Sequence, residues 1–166
     1  RAVDGLWGSV EYGGSKGYIF LEYSSFVTLT EIAVPDIFSF ENGVVFAGGG
    51  YTSEAFSAMF EMQSLTLRGT SGGILDPQER VGTGASAEIT VGGVTYDKAL
   101  ICIRGDVNGN GVLDVGDFVV IRRAVLGTAS LSGVYALAAD ADKNGRLDAA
   151  DYLLLRRVFL GTADMP

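Results

Sequence analysis

The sequence predicts two parts of different class: an all-β sandwich over residues 1–103 and a small all-α module over 104–166. Two observations carry that division. Ahead of Arg104, short β-branched and aromatic runs alternate with glycine-rich turn signals. Behind it, one twelve-residue pattern rich in Asp, Asn and Gly begins at Asp106 and again at Asp140, thirty-four residues on, and a helical run follows each copy.

In order, the strand-like runs are Leu6–Tyr12, Tyr18–Tyr23, Phe26–Ile32, Ile37–Phe40, Val44–Phe46, Met59–Leu67, Ala87–Val91 and Val94–Ile103. Each is rich in residues that suit a pleated, half-buried surface. Gly13-Gly14, Asn42-Gly43, Gly48-Gly49-Gly50, Gly72-Gly73 and Gly92-Gly93 punctuate them. Ile89-Thr-Val, Gly-Gly and Val94-Thr-Tyr read as a hairpin with a two-residue loop. About eight short strands at this spacing suggest a β-sandwich, and Ser53–Met59 reads alternatively as a short helix. The last strand runs straight into Arg104-Gly-Asp106 with no Pro/Thr/Ser-rich linker, so the two parts are expected to be rigidly joined.

The segments Asp106–Asp117 and Asp140–Asp151 carry oxygen-bearing side chains at positions 1, 3, 5, 9 and 12, with glycine at position 6. That is the spacing of an EF-hand calcium loop. Calcium takes six to eight oxygens, and alternate positions of a tightly curled loop point inward. In the first loop Asp106, Asn108 and Asn110 converge, Gly111 makes the sharp turn and the Val112 carbonyl supplies the next oxygen. Asp114 acts directly or through water, and Asp117 closes the shell. The second loop repeats this with Asp140, Asp142, Asn144, the Arg146 carbonyl, Asp148 and Asp151, so two Ca²⁺ ions are expected. Asp at position 12 replaces the usual Glu, so its helix must carry the shorter side chain closer. Asp/Asn/Gly turns are common on surfaces, but two such matches in tandem leave that reading little room.

Leu113 and Leu147 share loop position 8 and can pair the loops back to back. The helical runs end at Gly127 and Gly161, a usual helix stop. Neither loop is preceded by a good amphipathic helix. At about 100° per residue, Phe118, Ile121 and Val125 share one face of the first helix, and Tyr152, Leu155 and Phe159 share one face of the second. A neighbouring stripe carries Gly116, Val119, Arg123 and Leu126, copied as Ala150, Leu153, Arg157 and Leu160. It is either a widened core face buried against the β part or a surface kept for a partner.

The duplicated loop, Asp at position 12, the missing entering helix and the Arg-Arg pair in each helix together resemble a dockerin, over roughly residues 104–163. Dockerins attach enzymes and scaffold proteins to cohesins in bacterial cellulosomes. The resemblance implies a calcium-dependent, extracellular, cohesin-binding module that anchors its parent protein to a scaffold or cell surface involved in polysaccharide degradation. It also implies that the partner contacts come from loop positions 10 and 11 and the exposed helix face. Those positions are Val115, Gly116, Val119, Arg122, Arg123 and Leu126, with Ala149, Ala150, Leu153, Arg156, Arg157 and Leu160. Near-identity of the two sets permits docking in either of two orientations. Hydroxyl residues, frequent at positions 10 and 11 of type I dockerins, are replaced here by Val-Gly and Ala-Ala, which implies a more hydrophobic contact and leaves the cohesin class open. The missing linker resembles an X-module–dockerin dyad, in which an Ig-like X module packs on and stabilises the dockerin.

Charge and composition bound the remainder. Residues 1–103 hold twelve acids and five bases, and residues 104–166 eight acids and seven bases. Seven of those eight acids are loop ligands, so the calcium-loaded module would present mostly arginine, suited to an acidic protein surface. With few basic residues and a net charge of −8, a nucleic-acid partner is not expected. No run approaches the ~20 apolar residues of a membrane span. Arg1 stands where an initiator Met would, and no signal peptide is visible, as expected of a piece of a longer chain. With no histidine and one cysteine, the usual triads, zinc sites and intrachain disulfides are unavailable, and Cys102 reads as a packed thiol. No enzyme activity is expected, since no motif places Glu22, Glu31, Glu61 or Glu88 as a catalytic pair. The alternative function is a carbohydrate-binding β module tethered by the dockerin, with Trp7, Tyr12, Tyr18, Tyr23 and Tyr51 as a sugar-stacking platform. Core packing explains those rings equally well.

Overall fold

The computed structural model describes residues 7–12, 15–20, 38–60, 65–91 and 94–165. The chain divides into two compact units, residues 1–34 and 35–166. In the first, β1 (Trp7–Tyr12) and β2 (Ser15–Phe20) form an antiparallel hairpin, with Trp7 opposite Phe20 and Tyr12 opposite Ser15. The Phe26–Ile32 run, the Gly13-Gly14 and Gly92-Gly93 turns and the side chains of Trp7, Tyr12, Tyr18 and Tyr23 lie outside what is described.

The second unit is built on a five-stranded sheet of order β3-β4-β7-β6-β5. β3 (Ser39–Glu41) and β4 (Val44–Ala47) are joined by Asn42-Gly43, whose φ values of 51° and 78° make the double left-handed turn that a tight hairpin needs. After α1 (Ser53–Ala58), capped by the Thr52 hydroxyl, come β5 (Leu65–Arg68), β6 (Ser86–Val91) and β7 (Val94–Ile103). β6 and β7 pair antiparallel with Val91 opposite Val94, the register of a two-residue hairpin loop. β7 also pairs parallel with β4, placing Ile101 beside Val45.

Strand alternation gives the sheet two working faces. Val45, Ala99, Ile101, Ala87 and Leu67 lie on one and are buried. Phe56 of α1 is fully buried in an aromatic cluster, its ring centroid 5.1 Å from Phe38 and 5.3 Å from Phe60. Tyr51 joins edge-on at 6.0 Å from Phe38, so this ring of the proposed sugar platform is in contact with core aromatics.

On the opposite face, Val44 and Cys102 enter a core completed by Val107, Ile121, Val134, Ala138, Ala139, Ala141 and Leu155. Burial pushes the Cys102 thiol up to about 12, and its sulfur lies 3.7 Å from the Val134 carbonyl oxygen. Further along this face Glu88 accepts from Arg68 Nε at 2.7 Å and Lys98 Nζ at 3.0 Å. The Arg68 hydrogen bond, then that of Lys98, holds the Glu88 carboxyl below the usual range despite burial.

Three helices complete the unit: α2 (Val115–Val125), α3 (Val134–Ala139) and α4 (Ala149–Phe159). A short helix, α3, precedes the second loop, and it is not an amphipathic one. Its run Val-Tyr-Ala-Leu-Ala-Ala has no polar face and so no readable amphipathic period. It forms because Val134, Ala138 and Ala139 are buried, and Gly105 N–H donates to the Ala138 carbonyl at 2.8 Å. The first loop has no such helix; β7 reaches it through a turn closed by Asp106 N–H on the Ile103 carbonyl at 3.0 Å.

Replacing Phe56 by Ala removes the ring between Phe38 and Phe60. A loss of about 3–5 kcal/mol is expected, read as a lower urea midpoint at unchanged m-value.

Candidate functional site

Each loop is wound around its own carboxylates. Asp106 Oδ1 accepts N–H bonds from Gly109 (2.9 Å) and Asn110 (3.0 Å), and Oδ2 accepts from Gly111 (3.0 Å). Asp140 does the same for Asn144 and Gly145 at 3.0 and 2.9 Å. Asn108 and Asp142 each accept from the residue two positions on, as do Asn110 and Asn144. These short Asx-type closures curl the backbone so that alternate side chains turn inward. Position 6, Gly111 or Gly145, has φ of 84° or 78°, as the sharp turn requires.

Position 12 ties the ends of the loop together. Asp117 Oδ1 accepts from Val107 and Asn108 at 2.9 and 3.0 Å, and Oδ2 from Asp114 N–H at 2.9 Å. Asp151 repeats this with Ala141, Asp142 and Asp148. Asp114 and Asp148 are the N-caps of α2 and α4, so positions 9 and 12 form a capping box with Asp where Glu is usual. The helix therefore starts where the loop closes. Both helices end alike, with Gly127 and Gly161 left-handed and Thr128 and Thr162 N–H donating to Arg123 and Arg157 carbonyls at 2.8 Å.

The electrostatics call for a cation. Asp106, Asp117 and Asp151 are fully buried. Among the described residues no arginine or lysine forms a salt bridge with any loop carboxylate. Burial raises the Asp117 carboxyl above its usual range, against the hydrogen bonds from Asp114, Asn108 and Val107, and nearby Asp106 adds to the rise. The exposed Asp114 carboxyl is lowered, first by Asn110, whose Nδ2 donates at 2.8 Å, and then by Gly116 N–H. In the second loop, ligand oxygens of Asp140, Asp142 and Asp151 lie within 4.8 Å of one another. In the first, Asn108 takes the place of Asp142, so the converging donor set includes neutral amides. An all-oxygen set with several carboxylates on a curled loop suits a hard divalent cation such as calcium.

The helix faces sort as follows. Ile121 and Leu155 are fully buried, and Phe118 meets Tyr152 and Phe159 edge-on at 6.3 and 5.0 Å. Phe159, expected in the core, is 47% exposed; it sits in the last turn of α4, its ring centroid 5.0 Å from that of Phe118. The neighbouring stripes are open to solvent. Val115, Gly116, Val119, Arg122, Arg123 and Leu126 are all exposed, as are Ala149, Ala150, Leu153, Arg156, Arg157 and Leu160. Neither stripe is covered by the sheet. Leu137 of α3, 41% exposed, adds an apolar surface residue that the helix-wheel reading missed.

The first loop is also held from outside. Thr83 N–H donates to Asp106 Oδ2 at 2.8 Å, and Gly50 N–H donates to the Gly111 carbonyl at 2.7 Å. Arg104, stacked 4.7 Å over the Phe46 ring, donates to the Asp140 carbonyl at 3.1 Å. The sheet thus reaches both loops. Sequence reasoning missed Thr83 and Gly50 because nothing local marks residues that meet a loop so far along the chain.

Residues 104–160 match the family model described as Dockerin type I domain. No curated protein matches the chain. Dockerin modules bind calcium and anchor their parent proteins by binding cohesins, and no described helix is long and apolar enough to cross a membrane. The C-terminal part of this chain, with its two Asp-closed loops each opening a capped helix, is a type I dockerin module.

Proposed function

We propose that residues 104–166 bind two Ca²⁺ ions through Asp106, Asn108, Asn110, Val112, Asp114 and Asp117, and through Asp140, Asp142, Asn144, Arg146, Asp148 and Asp151. The loaded module docks on a cohesin through the solvent-exposed stripes of α2 and α4. The observation that carries this reading is the pair of unburied Val/Leu stripes flanked by Arg122-Arg123 and Arg156-Arg157. Apolar side chains left open beside a charged rim are the arrangement of a protein interface. Bound calcium supplies the positive charge that lets the loop carboxylates stay ionised while buried. The residues themselves do the positioning: the capping boxes orient the helices, and the helices present the stripes. The two stripes match in chemistry, so either helix can lead in docking. Residues 1–103 serve as an Ig-like, X-module-like companion that stabilises the dockerin, and the whole is a non-catalytic, extracellular adaptor of a polysaccharide-degrading assembly.

Three outcomes are expected. EGTA lowers the helical circular dichroism signal and weakens binding to a cognate cohesin; an unchanged signal together with unchanged affinity overturns the reading. Asp151→Ala removes the carboxylate that closes the second loop, and isothermal titration then counts one bound calcium instead of two. Arg123→Glu or Arg157→Glu alone leaves cohesin affinity within about tenfold, while the double change, which spoils both orientations, lowers it by several kcal/mol, measured by the same titration.

A further inference from the structure

We propose that the Arg80–Gly84 turn of the sheet holds the first calcium loop in its ligating fold without the ion, so that calcium withdrawal unfolds the second repeat first. The inference rests on calcium binding by both loops and concerns what each loop does when the ion leaves.

The first loop is clamped by backbone from two segments of the sheet part. Thr83 N–H donates to the buried carboxylate of Asp106 at 2.8 Å. Thr83 is fixed in turn: its hydroxyl accepts from Ile103 N–H at 3.0 Å and donates to the Ile103 carbonyl at 3.1 Å. Gly50 N–H holds the Gly111 carbonyl at 2.7 Å. Between these ties the backbones lie flush, since a Cβ built on Gly82 would overlap the Gly109 carbonyl oxygen. None of these contacts passes through the ion.

The second loop has less support. A Cβ built on Gly145 would meet nothing within 4 Å, and residues 143–146 are all exposed. The Asp140 carboxylate accepts from its own loop, and the sheet part reaches it through Arg104 on the Asp140 carbonyl. Two internal costs add to this. Lys143 holds φ at 61° where the first loop has Gly109, and a non-glycine residue there is strained. The second loop also packs four carboxylates, Asp140, Asp142, Asp148 and Asp151, against three in the first, Asp106, Asp114 and Asp117. More negative charge strengthens attraction to the cation but makes the empty loop repel itself. Outside support and backbone strain assign the calcium-dependent fold to the second repeat, against the two fully buried carboxylates, Asp106 and Asp117, of the first. Two helices of nearly equal surface therefore respond unequally to calcium, and the α2 stripe outlasts the α4 stripe.

Hydrogen exchange of the full chain, with saturating calcium and then with excess EGTA, tests this. In EGTA the amides of Gly109, Asn110, Gly111 and α2 should keep protection within about tenfold of the loaded state, while Asn144, Gly145 and α4 lose about a hundredfold or more. Equal loss in both repeats, or earlier loss in the first, overturns the proposal. Exchange that ignores EGTA in both repeats overturns the calcium reading beneath it. Gly82→Ala, which wedges the turn off Gly109, should make the first loop as sensitive to EGTA as the second. If that variant fails to fold, Thr83→Val, which removes the hydroxyl ties to Ile103, serves instead. First-loop protection in EGTA that the folded variant leaves unaltered also overturns the proposal.

Discussion

Asp117 and Asp151 each accept N–H bonds from both ends of a twelve-residue loop. Each also stands at the third position of the helix that follows. One carboxylate thereby closes the loop and caps the helix. If it tilts, the first turn of the helix loses its partner for the N-cap N–H, and the stripe carried one turn further on changes direction. The geometry of the surface is slaved to a buried charge.

Much of this was readable from one sequence because it is local. Loop spacing and helix stops depend on neighbours within a dozen positions, and the Asp106 and Asp140 segments agree at loop positions 1, 5, 6, 8, 9 and 12. Helical period separated Ile121 and Leu155 from Val119 and Leu153 for the same reason. The hairpin register at Val91–Val94 and the short helix at Ser53 also follow from local turn and cap chemistry. What escaped was non-local. The parallel pairing of β4 with β7 joins strands about fifty residues apart, and alternation names a buried face without naming the neighbour. α3 exists because β7 offers a surface for three small apolar side chains, not because its own pattern is helical. The exposure of Phe159 depends on where α4 ends relative to Phe118.

The absent linker ahead of Asp106 takes on physical content in the structure. β7 ends at Ile103, Gly105 turns at φ 88° and Asp106 is already inside the loop. Gly105 N–H is used by α3, and Ile103 by Thr83. Strand, turn and loop thus share hydrogen-bond partners, and an inserted spacer would separate all of them at once. The helices are consequently oriented by the sheet, while their outward stripes stay clear of it.

Cys102, sealed between β7 and α3 with a thiol pushed up to about 12, has a practical side. Nucleophilic sulfur chemistry needs an accessible thiolate, and burial both covers this sulfur and disfavours its thiolate. A single cysteine placed on either helix would therefore be the sole reactive handle for a fluorophore or spin label, with the native core left untouched.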